Sequence, residues 1–254
     1  MDKMKKIKFG LKLWSINTDL IKESEKLIKD GVFDYIELMI VPRTQILPFK
    51  KINVPYVIHT TSDRYGLNIA DKDKESFNLN LINQNIEWAD KLKAKYLIFH
   101  PGFGSFASAQ KFLEKIEDKR ILIENMPKVG MNDEKMVGYT LKQIKELSRD
   151  KFGFCLDFGH AIKAALSIGT DYKQYIEEFL SLNPKVFHIC DGTLIPGKDE
   201  HLNIGEGDYD FSFFADCIKK SKARYVTLET PRTNLSSLRG DIENILKFKS
   251  LSAF

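Results

Sequence analysis

Eight short runs of apolar, β-branched and aromatic residues punctuate the chain, and longer stretches with apolar residues three or four apart lie between them. The runs are Ile7–Trp14, Tyr35–Ile40, Tyr56–His59, Tyr96–His100, Ile121–Glu124, Phe152–Asp157, Val186–Cys190 and Tyr225–Glu229. Most are almost continuously apolar, as strands of a parallel sheet covered by helices should be. Between them, Ser76–Lys93 sets Leu79, Ile82, Ile86, Ala89 and Leu92 on one helical stripe. Thr18 is placed to cap a helix ending near Gly31, and Thr170 or Asp171 to cap one carrying Tyr172, Ile176 and Phe179; a last helix is expected near Ser236–Lys249. Strict alternation of eight strands with helices predicts an α/β chain forming a single (β/α)8 TIM barrel over residues 1–254. The doubly wound alternative would open with a glycine-rich phosphate loop, and no GxGxxG follows the first strand.

Composition narrows this picture only slightly. With 43% hydrophobic and 29% charged residues, the chain can fill a core and keep a polar surface. The formal charge of +4 is compatible with a phosphate-bearing partner but far from a dedicated nucleic-acid arm. Cys155, Cys190 and Cys217 form no CxxC and no even framework, which favours a reduced, cytoplasmic protein. The basic start, Met1 to Lys8, is followed by no long apolar stretch, so neither a signal peptide nor a membrane span is expected.

The polar residues gather at the ends of the expected strands. His59 ends the third, His100 the fourth, Glu124 the fifth and Asp157 the sixth, with His160 three residues further on. His188 lies in the seventh, Asp199 and His201 in the loop after it, and Glu229 ends the eighth. Barrel active sites form at the C-terminal ends of the strands. Any one of these histidines is explained by a local hydrogen bond, and Asp199 and His201 by solvation. Glu124 and Asp157 are different, because each closes an apolar run where an unpaired carboxylate costs several kcal/mol. Divalent cations remove that cost. Imidazoles mixed with carboxylates suit Zn²⁺, Mn²⁺ or Fe²⁺, and nine candidate ligands exceed what one ion needs, so two or three ions are expected, with Glu124 bridging a pair.

In order along the chain, FHPG (Phe99–Gly102), IENMP (Ile123–Pro127), CLDFGHA (Cys155–Ala161), FHICDG (Phe187–Gly192), DEHLNIGEGDYDF (Asp199–Phe211) and LET (Leu228–Thr230) resemble the endonuclease IV and xylose-isomerase-like superfamily. The resemblance implies a minimal one-metal set of Glu124, Asp157, His188 and Glu229. It also implies the fuller endonuclease IV set. His59 and His100 with Glu124 would hold one zinc, Glu124, Asp157, His188 and Glu229 a second, and His160, Asp199 and His201 a third. The substrate loops depart from that family. Thr60, Thr61 and Ser62 follow His59 where a tyrosine is expected, Leu13–Asn17 replaces a glycine-rich opening, and Met126–Val137 lacks the asparagine- and glycine-rich character.

The leading expectation is therefore a metal-dependent phosphodiester hydrolase cleaving DNA at abasic sites, with Glu124 and Glu229 as catalytic carboxylates. Arg43, Lys198 and Arg232, with Arg64 and Lys128, lie on loops of the catalytic face and are candidates to contact the substrate's phosphates. The alternative is a sugar or sugar-phosphate isomerase or epimerase with one divalent metal, Glu124 and Glu229 shuttling a proton. A third reading is a non-catalytic barrel that binds metal or sugar. The turn Gly205-Glu206-Gly207 is expected to precede a helix cap; Cys190 shares strand parity with His188, and Asp191 is assigned either to the site or to a loop hydrogen bond.

Overall fold

In the computed structural model, residues 6–252 are described; residues 1–5, most of the basic start, and residues 253–254 lie outside the described part. The parallel strands β1 (Lys8–Trp14), β2 (Tyr35–Met39), β3 (Tyr56–His59), β4 (Leu97–Phe99), β5 (Ile121–Glu124), β6 (Gly153–Asp157), β7 (Val186–Ile189) and β8 (Tyr225–Leu228) pair in sequence order. β8 returns to β1 through Lys8–Tyr225, Phe9–Val226 and Gly10–Thr227, closing a TIM barrel. The helices are α1 (Ile21–Lys29), α2 (Leu47–Lys50), α3 (Glu75–Lys91), α4 (Phe106–Glu114), α5 (Leu141–Ser148), α6 (Phe158–Ile168), α7 (Tyr172–Leu180), α8 (Phe211–Lys220) and α9 (Arg239–Ser252). Among the described residues no helix is long and apolar enough to cross a membrane.

The near-continuous apolar runs arise because the two strand faces enter different cores. Outward residues such as Leu11, Ile36, Ile58, Phe99, Ile123, Leu156 and Phe187 pack under the helices. Inward, Tyr35, Val57, Ile98, Leu122, Cys155 and Val186 form a separate apolar plug, with Tyr96 and Tyr225 against it. Period-two alternation then lifts the next inward residue of each strand above this plug. Lys12, Glu37, His59, Glu124, Asp157 and His188 occupy those positions, and all are buried. Gly10 makes room for the plug, since a Cβ there would stand 2.5 Å from the Tyr35 ring and 2.7 Å from Thr227 Oγ1.

Most helix starts follow the expected chemistry. Asp171 rather than Thr170 caps α7, accepting from the Gln174 amide at 2.8 Å, and the α3 stripe packs against the outer core. Thr18 is a correction. It opens a 3-10 turn (Thr18–Leu20) that runs into α1 without any side-chain cap, because the neighbouring Asn17 carboxamide turns back to accept from the Trp14 amide at 2.9 Å.

Candidate metal centre

Strand parity aims the ligand candidates at one another above the plug, and local hydrogen bonds set which atom each presents. His59 Nδ1 donates to the Thr60 carbonyl at 2.9 Å, and His160 Nδ1 to the Asn125 carbonyl at 2.9 Å. A carbonyl only accepts, so Nδ1 carries a proton, and in its neutral form each ring presents the Nε2 lone pair to the site. His188 is held the other way round. Its Nε2 bonds Glu37 Oε2 at 3.1 Å, leaving Nδ1 3.1 Å from Glu124 Oε1, 3.3 Å from Glu229 Oε1 and 4.0 Å from Asp157 Oδ2. Asp157 both ends β6 and caps α6, accepting from the His160 amide at 2.7 Å. Asn125 clamps this corner, receiving the Asp157 amide at 2.8 Å and donating to its carbonyl at 2.9 Å.

Glu124 divides its two oxygens between two sets of imidazoles. Oε2 lies 3.2 Å from His100 Nε2 and 3.6 Å from His59 Nε2; Oε1 lies 3.1 Å from His188 and 3.5 Å from His160. Among the described residues five groups of metal-compatible atoms result: Glu37, His59, His188 and Glu229; Glu124, Cys155 and His188; His59, His100 and Glu124; Glu124, Asp157 and His160; and His160, Asp199 and His201. In the last, His201 Nδ1 is 2.6 Å from Asp199 Oδ2 and its Nε2 is 3.4 Å from Glu229 Oε2. His59 Nε2, His100 Nε2, Glu124 Oε2, Asp157 Oδ2 and Asp199 Oδ1 are buried without hydrogen-bond partners. Orphaned lone pairs of this kind are costly in a protein interior and are what a cation takes up. The donor set fits a borderline divalent ion such as zinc.

Two charged residues escaped the sequence reading. Lys12 and Glu37 are 5% and 0% exposed and belong to the same layer as the ligands. Lys12 donates to Glu37 Oε1 at 2.7 Å and also bonds Glu229 Oε1. Glu37 Oε2 receives Thr227 Oγ1 at 2.6 Å, and Thr227 in turn meets the Tyr35 hydroxyl at 2.7 Å. The signal was present, since both charges interrupt apolar runs (KFGLKLW and YIELM) at inward positions.

Burial would raise every carboxyl here, and neighbours decide the outcome. His188 and Lys12 outweigh it at Glu37, which is held down to about 2. His188 and His100 hold Glu124 well below the usual carboxylate range, and His188 and Lys12 do the same for Glu229. Burial prevails at Asp157, pushed up to about 6 despite His160, with Glu124 and Asp199 adding repulsion. Burial pulls His188 and His201 down, but surrounding carboxylates overcome it and leave both well above an ordinary histidine. Lys12 is raised by Glu229 and Glu37 against burial.

The loop after β7 carries Asp199 and His201, and two anchors shape it. Asp191 accepts the amides of Gly192 (2.8 Å), Gly205 (2.7 Å), Gly207 (2.9 Å) and Tyr209 (3.2 Å), which makes it a loop residue rather than a site residue. Gly205 adopts the left-handed φ of 80° that the turn needs, and Asp210 caps α8 through the Phe213 amide. Lys163, buried on α6, donates to the Thr193 and Ile195 carbonyls and to Glu200 Oε2 at 2.8–3.1 Å. Cys190 packs in the outer core beyond the strand end.

The basic loop residues meet different fates. Arg43 sits in a left-handed turn after β2 (φ 67°). Lys198 pairs with Asp133 at 3.0 Å, and Lys128 donates to the Ser167 carbonyl. Arg232 is already engaged within the fold. Its guanidinium is committed to Asp241 (2.6 and 2.9 Å) and the Lys12 carbonyl (2.7 Å) and lies over the Trp14 ring, so it braces α9 against β1.

A family profile described as xylose isomerase-like TIM barrel matches residues 49–249. Among curated proteins, a probable endonuclease 4 of Mycoplasmopsis synoviae is 28% identical over 222 residues, 77% of each chain. A probable endonuclease 4 of Staphylococcus epidermidis is 30% identical over 58% of this chain and 57% of its own. Among solved structures, endonuclease IV from Thermus thermophilus superposes with a TM-score of 0.72 at 18% identity, over 96% of this chain and 98% of that one. A D-tagatose 3-epimerase-like protein superposes with a TM-score of 0.71 at 22% identity, over 97% and 98%.

Proposed function

Because the chain belongs to the xylose isomerase-like TIM barrel family, we propose that it is a metal-dependent phosphodiester hydrolase that cuts DNA at abasic sites with a multinuclear zinc centre. One observation carries this reading. Glu124 directs Oε2 toward Nε2 of His59 and His100 and Oε1 toward Nδ1 of His188, while His160 turns its Nε2 to Asp199; the first is the disposition of a carboxylate shared between two ions. A one-metal enzyme has no use for His59 and His100 on the far oxygen. The endonuclease 4 names of the curated relatives support the same choice.

On this reading His59, His100 and Glu124 would hold one ion, and His160, Asp199 and His201 another, with His188, Asp157 and Glu229 completing the centre. Bound divalent ions supply Lewis-acid charge and bring the pKa of water toward neutrality. The chain's own groups do the rest. The Nδ1 bonds of His59 and His160 fix their rings, Glu37 fixes His188, and Glu124 lies where it can orient an attacking water or take its proton. The wall beneath is the apolar plug, so substrate reaches the centre only from the loop face.

The isomerase or epimerase alternative needs Glu229 as a proton shuttle. His188 and the Lys12 ammonium both engage its Oε1, which suits a fixed ligand better than a proton shuttle. The test is nicking of an abasic-site duplex by the zinc-loaded protein. Nicking should fall at least about a hundredfold in Glu124→Gln and vanish on chelation. Protein that holds two or more zinc ions and leaves the duplex intact would sink the hydrolase reading. Solvent deuterium incorporated at carbon in a ketose would establish the epimerase instead.

A further inference from the structure

The hydrolase reading employs every buried imidazole and carboxylate of the mouthward sets but leaves Lys12 without a part. An ammonium buried to 5% exposure under a metal site is expensive unless it does something there. Around it, Glu37, Glu229, His59 and His188 offer ligand atoms that all lie within 4.8 Å of one another. Two carboxylates and two imidazoles make a donor set that a divalent ion accepts. Two of those donors, Glu37 Oε1 and Glu229 Oε1, are bonded to Lys12 Nζ.

We propose that the Lys12 ammonium is a resident cation, held in the cradle between Glu37 Oε1 and Glu229 Oε1 and so denying that position to a metal ion. The consequence for Glu229 is directional. With Oε1 on Lys12, Oε2 is the oxygen left to face His201 Nε2 at 3.4 Å, which biases this carboxylate toward the Asp199–His201 side. Lys12 also holds Glu37 in place to fix His188. A tethered charge, unlike an ion, cannot be lost to a chelator.

This inference rests on the metal-binding part of the proposed function and is independent of the DNA chemistry. Full-length protein, stripped and reloaded with zinc, is compared by native mass spectrometry as wild type, Lys12→Ala and Lys12→Met. Lys12→Ala empties the cradle and should retain one more zinc per chain than wild type. Lys12→Met keeps the bulk and removes the charge. It should half-saturate at about tenfold lower free zinc, because Glu229 no longer serves a competing cation. Unchanged zinc number and affinity in Lys12→Ala would overturn the proposal. Should that variant fail to fold without metal, unchanged half-saturation in Lys12→Met overturns it equally. Wild type that binds a single zinc and nicks no DNA defeats the hydrolase reading, yet the difference between wild type and Lys12→Ala still decides the role of Lys12.

Discussion

Glu124 and Asp157 end adjacent strands and are both buried, yet their surroundings drive them apart. Glu124 is held well below the usual carboxylate range, while burial lifts Asp157 to about 6 from an ordinary 3.8. An acid raised on folding favours the folded state most below 3.8, and that contribution is lost as pH rises through about 6. A cation placed beside Asp157 offsets the loss. Zinc should therefore raise the melting temperature progressively more as pH climbs from 3.8 to about 6, with protons released on binding. A zinc-induced shift that stays flat across this window would contradict the assignment of Asp157 as a ligand. Glu37 makes a second prediction at this scale. Glu37→Gln weakens the fixing of His188 and should lower zinc affinity about ten- to a hundredfold, read by competition with a chelating dye. Eight of the nine expected ligands were legible because they stand at or beyond strand ends, and His188, inside β7, because it interrupts an apolar run. Lys12 and Glu37 interrupt apolar runs in the same inward layer, and counting inward positions along β1 and β2 finds them.

At the scale of elements, the strands were read to within two residues because two-sided burial leaves an unmistakable apolar run. Helix starts depended on which side chain the backbone recruits. Asp171 and Asp210 act as caps, but Thr18 does not, since Asn17 is spent on β1 instead. The loop after β7 was opaque for a related reason. Asp191 gathers amides from residues as far away as Tyr209, a contact with no periodic signature. Asp191→Ala strands those amides and should cost about 2–3 kcal/mol in unfolding free energy by urea titration. It should also weaken zinc retention on the His160, Asp199 and His201 side, while the His59 and His100 side, built from β3 and β4, is spared. Equal loss from both sides would mean that Asp191 supports the whole face rather than its own loop.

For the whole molecule, the eight strands close around an apolar plug. Gly10 marks how tightly the plug is fitted. Gly10→Ala drives a methyl into the Tyr35 ring and Thr227, and should lower stability by about 1–3 kcal/mol, measured by thermal unfolding. Because Tyr35 and Thr227 lead to Glu37 and thence His188, the same change should reduce zinc affinity; an unaffected zinc titration would show that the plug and the ligand layer are mechanically separate. The substrate-facing rim was the least legible part. Its contacts join loops far apart in sequence, as Lys198 joins Asp133 and Arg232 joins Asp241 and β1.

The divided allegiance of Glu124 has a consequence for how the molecule responds to its supply of metal. A ligand with one oxygen for each neighbour is oriented by whichever ion arrives first, and the second then finds its partner already aimed. Occupancy of the proposed centre should thus rise cooperatively. With such a centre, scarce zinc would split the population into fully loaded and empty chains, a threshold response rather than a graded one.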